Sequence, residues 1–433
     1  MKSAKIYFII LLLFFQYPSV ARSQENTLDL HQLMQLALKK NADIQVQRGE
    51  KQIARYKWWQ SLSQLLPQAD AEAGLIKSSG RNGMPDFVAA NGLFERNAWL
   101  SLQQPIFNAD NVMNVLNSRI EQQKRGIIYS QAKQDVLLQV VEAYFTALQN
   151  RDDITVYKKN LDAFKILYDQ SKYLYENGVV PELDVKKSKV EYLLQKNTLL
   201  RAQKDYLAAL NHIKELTGLM IKDSLDLSGM SVKTTHLDSL SGYLQSAQKN
   251  RPELKVAELV KKQITNRKRF IRLQHLPSAH AGVFYGWDTL DPIRSVNKGW
   301  QAYLTLSMPL WHWGRIHLDQ QIASIHYQQT EALYSRLQKQ IRQQVINSFR
   351  ECQVQLQQMQ AMQESEQDAA EAIRMAKIGY QEGTVTNLDV INTQKLLTET
   401  QVKYYQSLYA FYVAKAKLYR SIGKLKEDFS WLE

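Results

Sequence analysis

Two stretches of this 433-residue chain are too long and too regular to form anything but extended helices. From Ile106 to Val180 there is no proline, and before Gly178 the one glycine is Gly126. From Leu310 to the end there is no proline, and Arg315 to Ile378 holds no glycine. Proline and glycine are the residues that interrupt helices, so nothing local ends either run. Both runs carry a heptad. Val136, Val140, Ala143 and Ala147 open a four-three series that continues through Phe164 and Ser171 to Tyr175, with ten of twelve positions apolar or aromatic. Ile341, Val345, Ser348 and Cys352 open a second series that ends at Tyr380, with nine of twelve. Sustained spacing of this kind predicts coiled-coil packing against neighbouring helices. About 65 helical residues span roughly 100 Å, far more than a globular domain needs. These helices are struts.

The strut is part of a larger repeat. KKNADIQVQ (39–47) returns as QKNRPELKV (248–256), and Leu66-Pro67 as Leu276-Pro277. LSLQQPIF (100–107) matches LTLSMPLW (304–311), YENGVVPELDV (175–185) matches YQEGTVTNLDV (380–390), and LTG (216–218) pairs with SIG (421–423). The five matches keep one order at offsets of 204 to 210 residues, so the chain is a duplication, read here as units 22–226 and 227–433. Each unit opens with a helical stretch, about Leu28 to Leu66 and Leu240 to Leu276, stopped by the proline that follows. Period-two alternation comes next. Ala98, Leu100 and Leu102 oppose Asn97, Ser101 and Gln103, and Ala302, Leu304 and Leu306 oppose Gln301, Tyr303 and Thr305. Each unit therefore contributes one β-hairpin, with turn-rich loops at 78–86 and 288–299. Past each strut a glycine turn, Gly178 or Gly383, leads into a second helix, Leu183 to Leu216 or Leu388 to Ile422, running back antiparallel.

The N-terminus sets the compartment. Lys2 and Lys5, the apolar run Ile6 to Phe15, and Ser19-Val20-Ala21 have the order of a secretory signal peptide spanning residues 1–21. Cys352 is the sole cysteine, so no internal disulfide staples the exported chain. No later run reaches the roughly 20 apolar residues of a membrane-spanning helix, which leaves a closed β-barrel as the one route into a bilayer. The net charge of +13 is spread over helix faces rather than gathered into an aromatic-laced stripe, which argues against nucleic acid as a partner. Four strands cannot close a barrel, whereas three chains would supply twelve, an even number of plausible outer-membrane size.

The paired YxxGxxxxLDV segments, the Leu-Pro before each hairpin and the common order of the halves resemble the TolC family of outer-membrane efflux proteins, over about residues 27 to 423. The resemblance implies a mainly α fold with a small membrane β part. It implies a homotrimer with a twelve-stranded barrel in outer-membrane lipid and a long coiled-coil helical barrel across the periplasm. It further implies docking on a periplasmic adaptor (membrane fusion protein) and an inner-membrane pump, with no catalytic residue, cofactor or metal. By motif, the tip and gate candidates are Asp184, Asp389 and Tyr380, with Gly178 and Gly383 shaping the turns. Two positions depart from the family's pattern. Val385 stands where a basic residue is common, and Asn392 replaces a second acid, so an Asp–Arg latch and a doubled acidic ring are not expected. Tyr380 bonding a carboxylate across neighbouring helices is one way to hold the tip shut, and simple packing in the seam is another. Asp184 and Asp389 also fit the acid that the macrodipole favours in a helix's first turn. His312 and His317 are read as interfacial, with Trp311 and Trp313 as belt aromatics, because a five-residue interval puts the histidines on different helix faces. Cys352 on the heptad seam reads as a small buried hydrophobe. The competing architecture is a periplasmic coiled-coil scaffold or adaptor, which would need one helical hairpin and a separate β-rich domain.

Overall fold

The computed structural model describes residues 27–82, 84–86, 93–220, 225–229, 237–290, 295–311 and 313–426. The expected signal peptide and His312 lie outside the described residues. The first half contains α1 (Leu30–Lys40), α2 (Ala42–Ser63), β1 (Gln68–Lys77), β2 (Phe94–Phe107), α3 (Ala109–Glu176) and α4 (Glu182–Thr217). The second repeats the order with α5 (Leu240–Asn250), α6 (Pro252–Leu273), β3 (Ser278–Leu290), β4 (Ser295–Ser307), α7 (Arg315–Gln381) and α8 (Asn387–Ser421). A two-residue parallel ladder, Thr27–Leu28 on Asp226–Leu227, ties the start of the first half to the linker that follows it.

The single opening helix expected in each half is in fact two, of 11 and 22 residues in both halves. In the second half the cause is Pro252, which excludes the helical conformation at Arg251 and leaves it extended at ψ 120°. No proline stands at the corresponding bend of the first half. There Asn41, extended at ψ 133°, caps α2 by accepting from the amides of Asp43 and Ile44, and its Nδ2 donates to the Leu216 carbonyl at 3.1 Å. A side chain competing for backbone groups does the work that proline does in the repeat. The ends of α4 and α8 rest on these bends. Gly218 and Gly423 are left-handed (φ 65° and 73°), and a Cβ there would meet Lys40 Cβ at 2.9 Å and the Asn250 carbonyl oxygen at 2.8 Å. The LTG and SIG motifs are thus caps and contact points together.

The struts, of 68 and 67 residues, fold back through α4 and α8 as two helical hairpins. On α7 all twelve heptad positions are buried or half-buried. On α3 the buried line leaves the strict heptad after Ala147 and continues through Asp153, Val156, Asn160, Phe164, Leu167 and Ser171. A straight helix has 3.6 residues per turn against the heptad's 3.5, so its inward face drifts around the axis. Tyr157, Leu161 and Tyr168 are left half-buried at the margin and Tyr175 is exposed. The main core lies midway along the struts, where α1, α3, α4, α5, α7 and α8 meet around Tyr144, Phe145, Val345, Phe411 and Leu418. Phe145 stacks on Tyr412 with ring centres 5.2 Å apart. Cys352 is fully buried in this core, and burial pushes its thiol up to about 11, which disfavours the reactive thiolate.

The four long strands form one antiparallel sheet in the order β1-β2-β3-β4. β2 joins the hairpins, with Asn97 opposite Asp288 and Leu102 opposite Val283. Register puts Ala71, Leu100, Tyr285 and Trp300 on one face, followed by Leu102, Val283, Leu304 and Leu306. These side chains are exposed (Trp300 74%, Leu304 64%, Leu306 67%). The apolar side of β4 from Trp300 to its end at Ser307 covers roughly 23 Å of strand, or about 18 Å of height at a 40° tilt, and exposed Met308 and Leu310 follow it. The other face carries Asp70, Glu72, Asn97, Trp99, Ser101 and Tyr303, with Trp99 Nε1 donating to Glu72 at 3.1 Å. Apolar outside and polar inside is the alternation of a wall between lipid and water. Among the described residues no strand lies beside the outer edges of β1 and β4.

Substituting Gly218 or Gly423 by alanine adds left-handed strain to a clash at the bend, and should cost about 2 kcal/mol or more of unfolding free energy. Gly178→Ala, with nothing within 4 Å of its Cβ, carries the strain alone and should cost about 1 kcal/mol. Chemical denaturation in detergent separates the two, and equal losses would refute the contact argument. A second expectation concerns Asp153, buried on α3 with one carboxylate oxygen unpartnered and its pKa raised to about 6 by desolvation, with Asp152 adding to the rise. A raised carboxylate pKa means the folded state holds the proton more tightly. The cost of burial is absent below the unfolded value, grows between about pH 4 and 6, and is complete above. Asp153→Asn should stabilise the protein by about 1–3 kcal/mol at pH 7.5 and by almost nothing at pH 4, read from thermal melts at the two pH values.

Candidate functional site

The tips lie at the strut ends farthest from the sheet. The first is closed by Gly178 (φ 74°), whose amide bonds the Tyr175 carbonyl at 2.9 Å while the Val179 amide bonds that of Leu174 at 2.9 Å. The second is closed by Gly383 (φ 77°), with the Thr384 amide on the Gly379 carbonyl at 2.8 Å and that of Val385 on the same oxygen at 3.2 Å. This double bond folds Val385 back onto the strut. A Cβ on Gly379 would meet Val385 Cγ2 at 2.5 Å, so glycine is required there for close approach. Val385 then joins a second core of Phe164, Leu167, Ile373, Val390 and Ile391. The position that departs from the family's usual basic residue is occupied by an apolar plug between the two hairpins.

The two motif aspartates sit in different settings. Asp389 is exposed and forms a capping box with Thr386: its carboxylate accepts from the Thr386 amide at 3.1 Å, and Thr386 Oγ1 accepts from the Asp389 amide at 3.2 Å. The hydrogen bonds from the Thr386 side chain and backbone hold the Asp389 carboxyl below the usual range. Asp184 is half-buried in the first turn of α4, which has no side-chain cap. Asn392 is exposed, nearly one turn beyond Asp389. These residues are not brought together as a ring within one chain.

Tyr380 makes no hydrogen bond to a carboxylate in the chain. Its hydroxyl is buried beside Ser171 without completing a well-formed hydrogen bond. Burial pushes the Tyr380 phenol up, the contact with Ser171 opposes it, and the charge of Asp184 adds a smaller rise. Below it runs a chain of polar contacts that links the hairpins. Ser171 Oγ donates to the Leu167 carbonyl and lies 3.0 Å from Ser188 Oγ. Asn387 Nδ2 reaches across to Ser188 Oγ at 3.2 Å and the Asp184 carbonyl at 3.4 Å. Deeper along the struts Gln394 donates to Asn160 at 3.1 Å, and Asn160 donates to Gln195 at 2.9 Å. Ser171, Ser188 and Asn387 are buried, and none stood out in the sequence. One signal was available: Ser171 occupies a heptad position, where a polar residue interrupts an otherwise apolar seam.

The arrangement holds helices together. Among the described residues no three His, Cys, Asp or Glu side chains cluster as metal ligands, and His317 is exposed at the start of α7.

Comparison with known proteins follows the same outline. The model of the family described as "Outer membrane efflux protein" matches residues 33–219 and 243–424. The outer membrane protein TolC of Escherichia coli strain K12 is 20% identical over 419 residues, covering 92% of this chain and 83% of that protein. Among solved structures, the CmeC outer membrane channel of Campylobacter jejuni superposes with a TM-score of 0.79 at 17% identity, over 93% of this chain and 87% of its own. The open state of the MtrE outer membrane channel of Neisseria gonorrhoeae superposes with a TM-score of 0.74 at 17% identity, over 92% and 90%. With the family model covering both halves, the chain belongs to the outer membrane efflux protein family and is an outer-membrane channel whose helices extend into the periplasm.

Proposed function

We propose that three copies join edge to edge, β4 of one beside β1 of the next, into a twelve-stranded barrel continued by a tunnel of twelve strut and return helices. The observation that carries this reading is the sheet itself, open at both edges and apolar on one exposed face. Unpaired strand edges are not stable in lipid, so the chain needs copies of itself to enter the membrane. The duct would receive cargo from a periplasmic adaptor and an inner-membrane pump and would move it outward without catalysing a reaction. A periplasmic scaffold has no use for an exposed apolar sheet about 18 Å high, a height set by strand rise and tilt.

The tips serve in this reading as the periplasmic gate. Gly178 and Gly383 fix the turns, and Thr386 with Asp389 starts the inner return helix. Val385, Tyr380 and the Ser171–Ser188–Asn387 contacts keep the two hairpins of one chain in step. Asp184 and Asn392 line the entrance where neighbouring chains approach. Such a gate is closed by packing and neutral hydrogen bonds, so its closure depends little on salt.

Extracted in mild detergent, the protein should run on unheated SDS gels at about three times the mass of the heated chain and fractionate with outer membranes. A monomer soluble without detergent would end the duct reading. For the gate, Ser188→Ala together with Asn387→Ala removes the cross-hairpin contacts, each loss amounting to about 1 kcal/mol. In planar bilayers the double variant should show a higher open fraction than the parent, at low and high salt alike. Unchanged conductance would remove these residues from the gate.

A further inference from the structure

The charges of the sheet are sorted by face. On the polar face the acids are Asp70, Glu72, Glu95 and Asp288, and none of its described strand residues is lysine or arginine. The apolar face holds the opposite set. Lys77 pairs with Phe94, Arg96 with Leu75, and Lys298 with Trp287, which places all three cations on the lipid-facing side. Lys77 is the last residue before the first hairpin turn, and Arg96 and Lys298 are the third and fourth residues of the strands that follow a turn, so all three sit at the end away from the helices. All three are exposed, and none makes an ion pair among the described residues. The Arg96 guanidinium lies 5.2 Å from the centre of the Phe94 ring. On the same face Trp287 stands opposite Lys298, the next row toward the helices holds Leu100, Tyr285 and Trp300, and the rows beyond it hold Leu102, Val283 and Leu304.

Cations above an aromatic layer above an aliphatic band reproduce, in order, the phosphate, interfacial and acyl depths of a bilayer leaflet. The side is fixed by the helices, which occupy the periplasm, so the collar faces the outer leaflet. Lys77 and Lys298 stand on the two edge strands and Arg96 on β2, in three successive rows of the face that step diagonally across the sheet. Joining β4 to the next chain's β1 would bring Lys298 near that chain's Lys77 and continue the collar around the barrel. We propose that Lys77, Arg96 and Lys298 form a binding site for the phosphates of a phosphorylated glycolipid of the outer leaflet, whose acyl chains lie on Trp287, Trp300 and Leu304. The proposal rests on the trimeric barrel reading above.

The test uses the full-length trimer in detergent, with bis-phosphorylated lipid A as the probe, its dephosphorylated form and phosphatidylglycerol as comparisons, and native mass spectrometry to count bound lipid. The parent should retain bis-phosphorylated lipid A in preference to both others. Each of Lys77→Gln, Arg96→Gln and Lys298→Gln should weaken retention about fivefold, the change expected for one cation near a lipid phosphate. Equal retention of the dephosphorylated form, preference for phosphatidylglycerol, or an unaltered triple variant would each overturn the proposal. Because the glutamine variants keep strand and core residues, they should still run as SDS-resistant trimers. Loss of the trimer in the parent itself would instead overturn the barrel reading.

Discussion

Hydrogen bonding at the two sheet edges governs the rest of this structure. A four-stranded sheet in water can leave its edges to solvent, but one wall of this sheet is built for lipid, where a bare N–H or C=O costs several kcal/mol. Closure by further copies follows, and a closed barrel fixes the spacing of whatever is attached to its rim. The helices after β2 and β4 begin at Ala109 and Arg315, directly at that rim. Their length and their neighbours are thus inherited from the barrel. The heptad on α3 and α7 is the sequence's answer to a tunnel wall, in which each helix must find partners along its whole length.

Duplication explains why so much of the architecture was legible. Leu-Pro before each hairpin, alternation in the strands and glycine at each tip are local signals with local causes, and each occurs twice. The bends in the opening helices were not legible as a pair. Pro252 announces its bend, whereas Asn41 acts through a carboxamide that bonds Leu216, 175 residues away. At the tip the motif residues were legible and their partners were not. Asp389 and Gly383 stand in motifs, but Ser188 and Asn387 matter because two hairpins bring them within hydrogen-bonding distance. Pairings between elements distant in sequence leave no pattern in a single chain.

The two tips share a motif yet are built differently. At the first tip the turn is followed by Pro181, which starts α4 without a side-chain cap, and at the second by Thr386, which starts α8 with a capping box. Gly379 and Val385 interlock at the second tip, whereas the position equivalent to Gly379 at the first tip is Leu174. The second tip is the more tightly specified one. That asymmetry agrees with a tip in which one hairpin is carried by the other.

The unequal bends also give the halves different compliance. Asn41 holds its bend through three hydrogen bonds from one side chain, and its backbone has no chemical bar to the helical conformation. Rotating that carboxamide away would let α1 and α2 run on as one rod. Pro252 offers no such exchange, because its ring keeps Arg251 out of the helix whatever its neighbours do. Around the assembled duct, reversible joints would alternate with permanent elbows, so the girdle midway along the tunnel can flex at three points while three others keep its diameter.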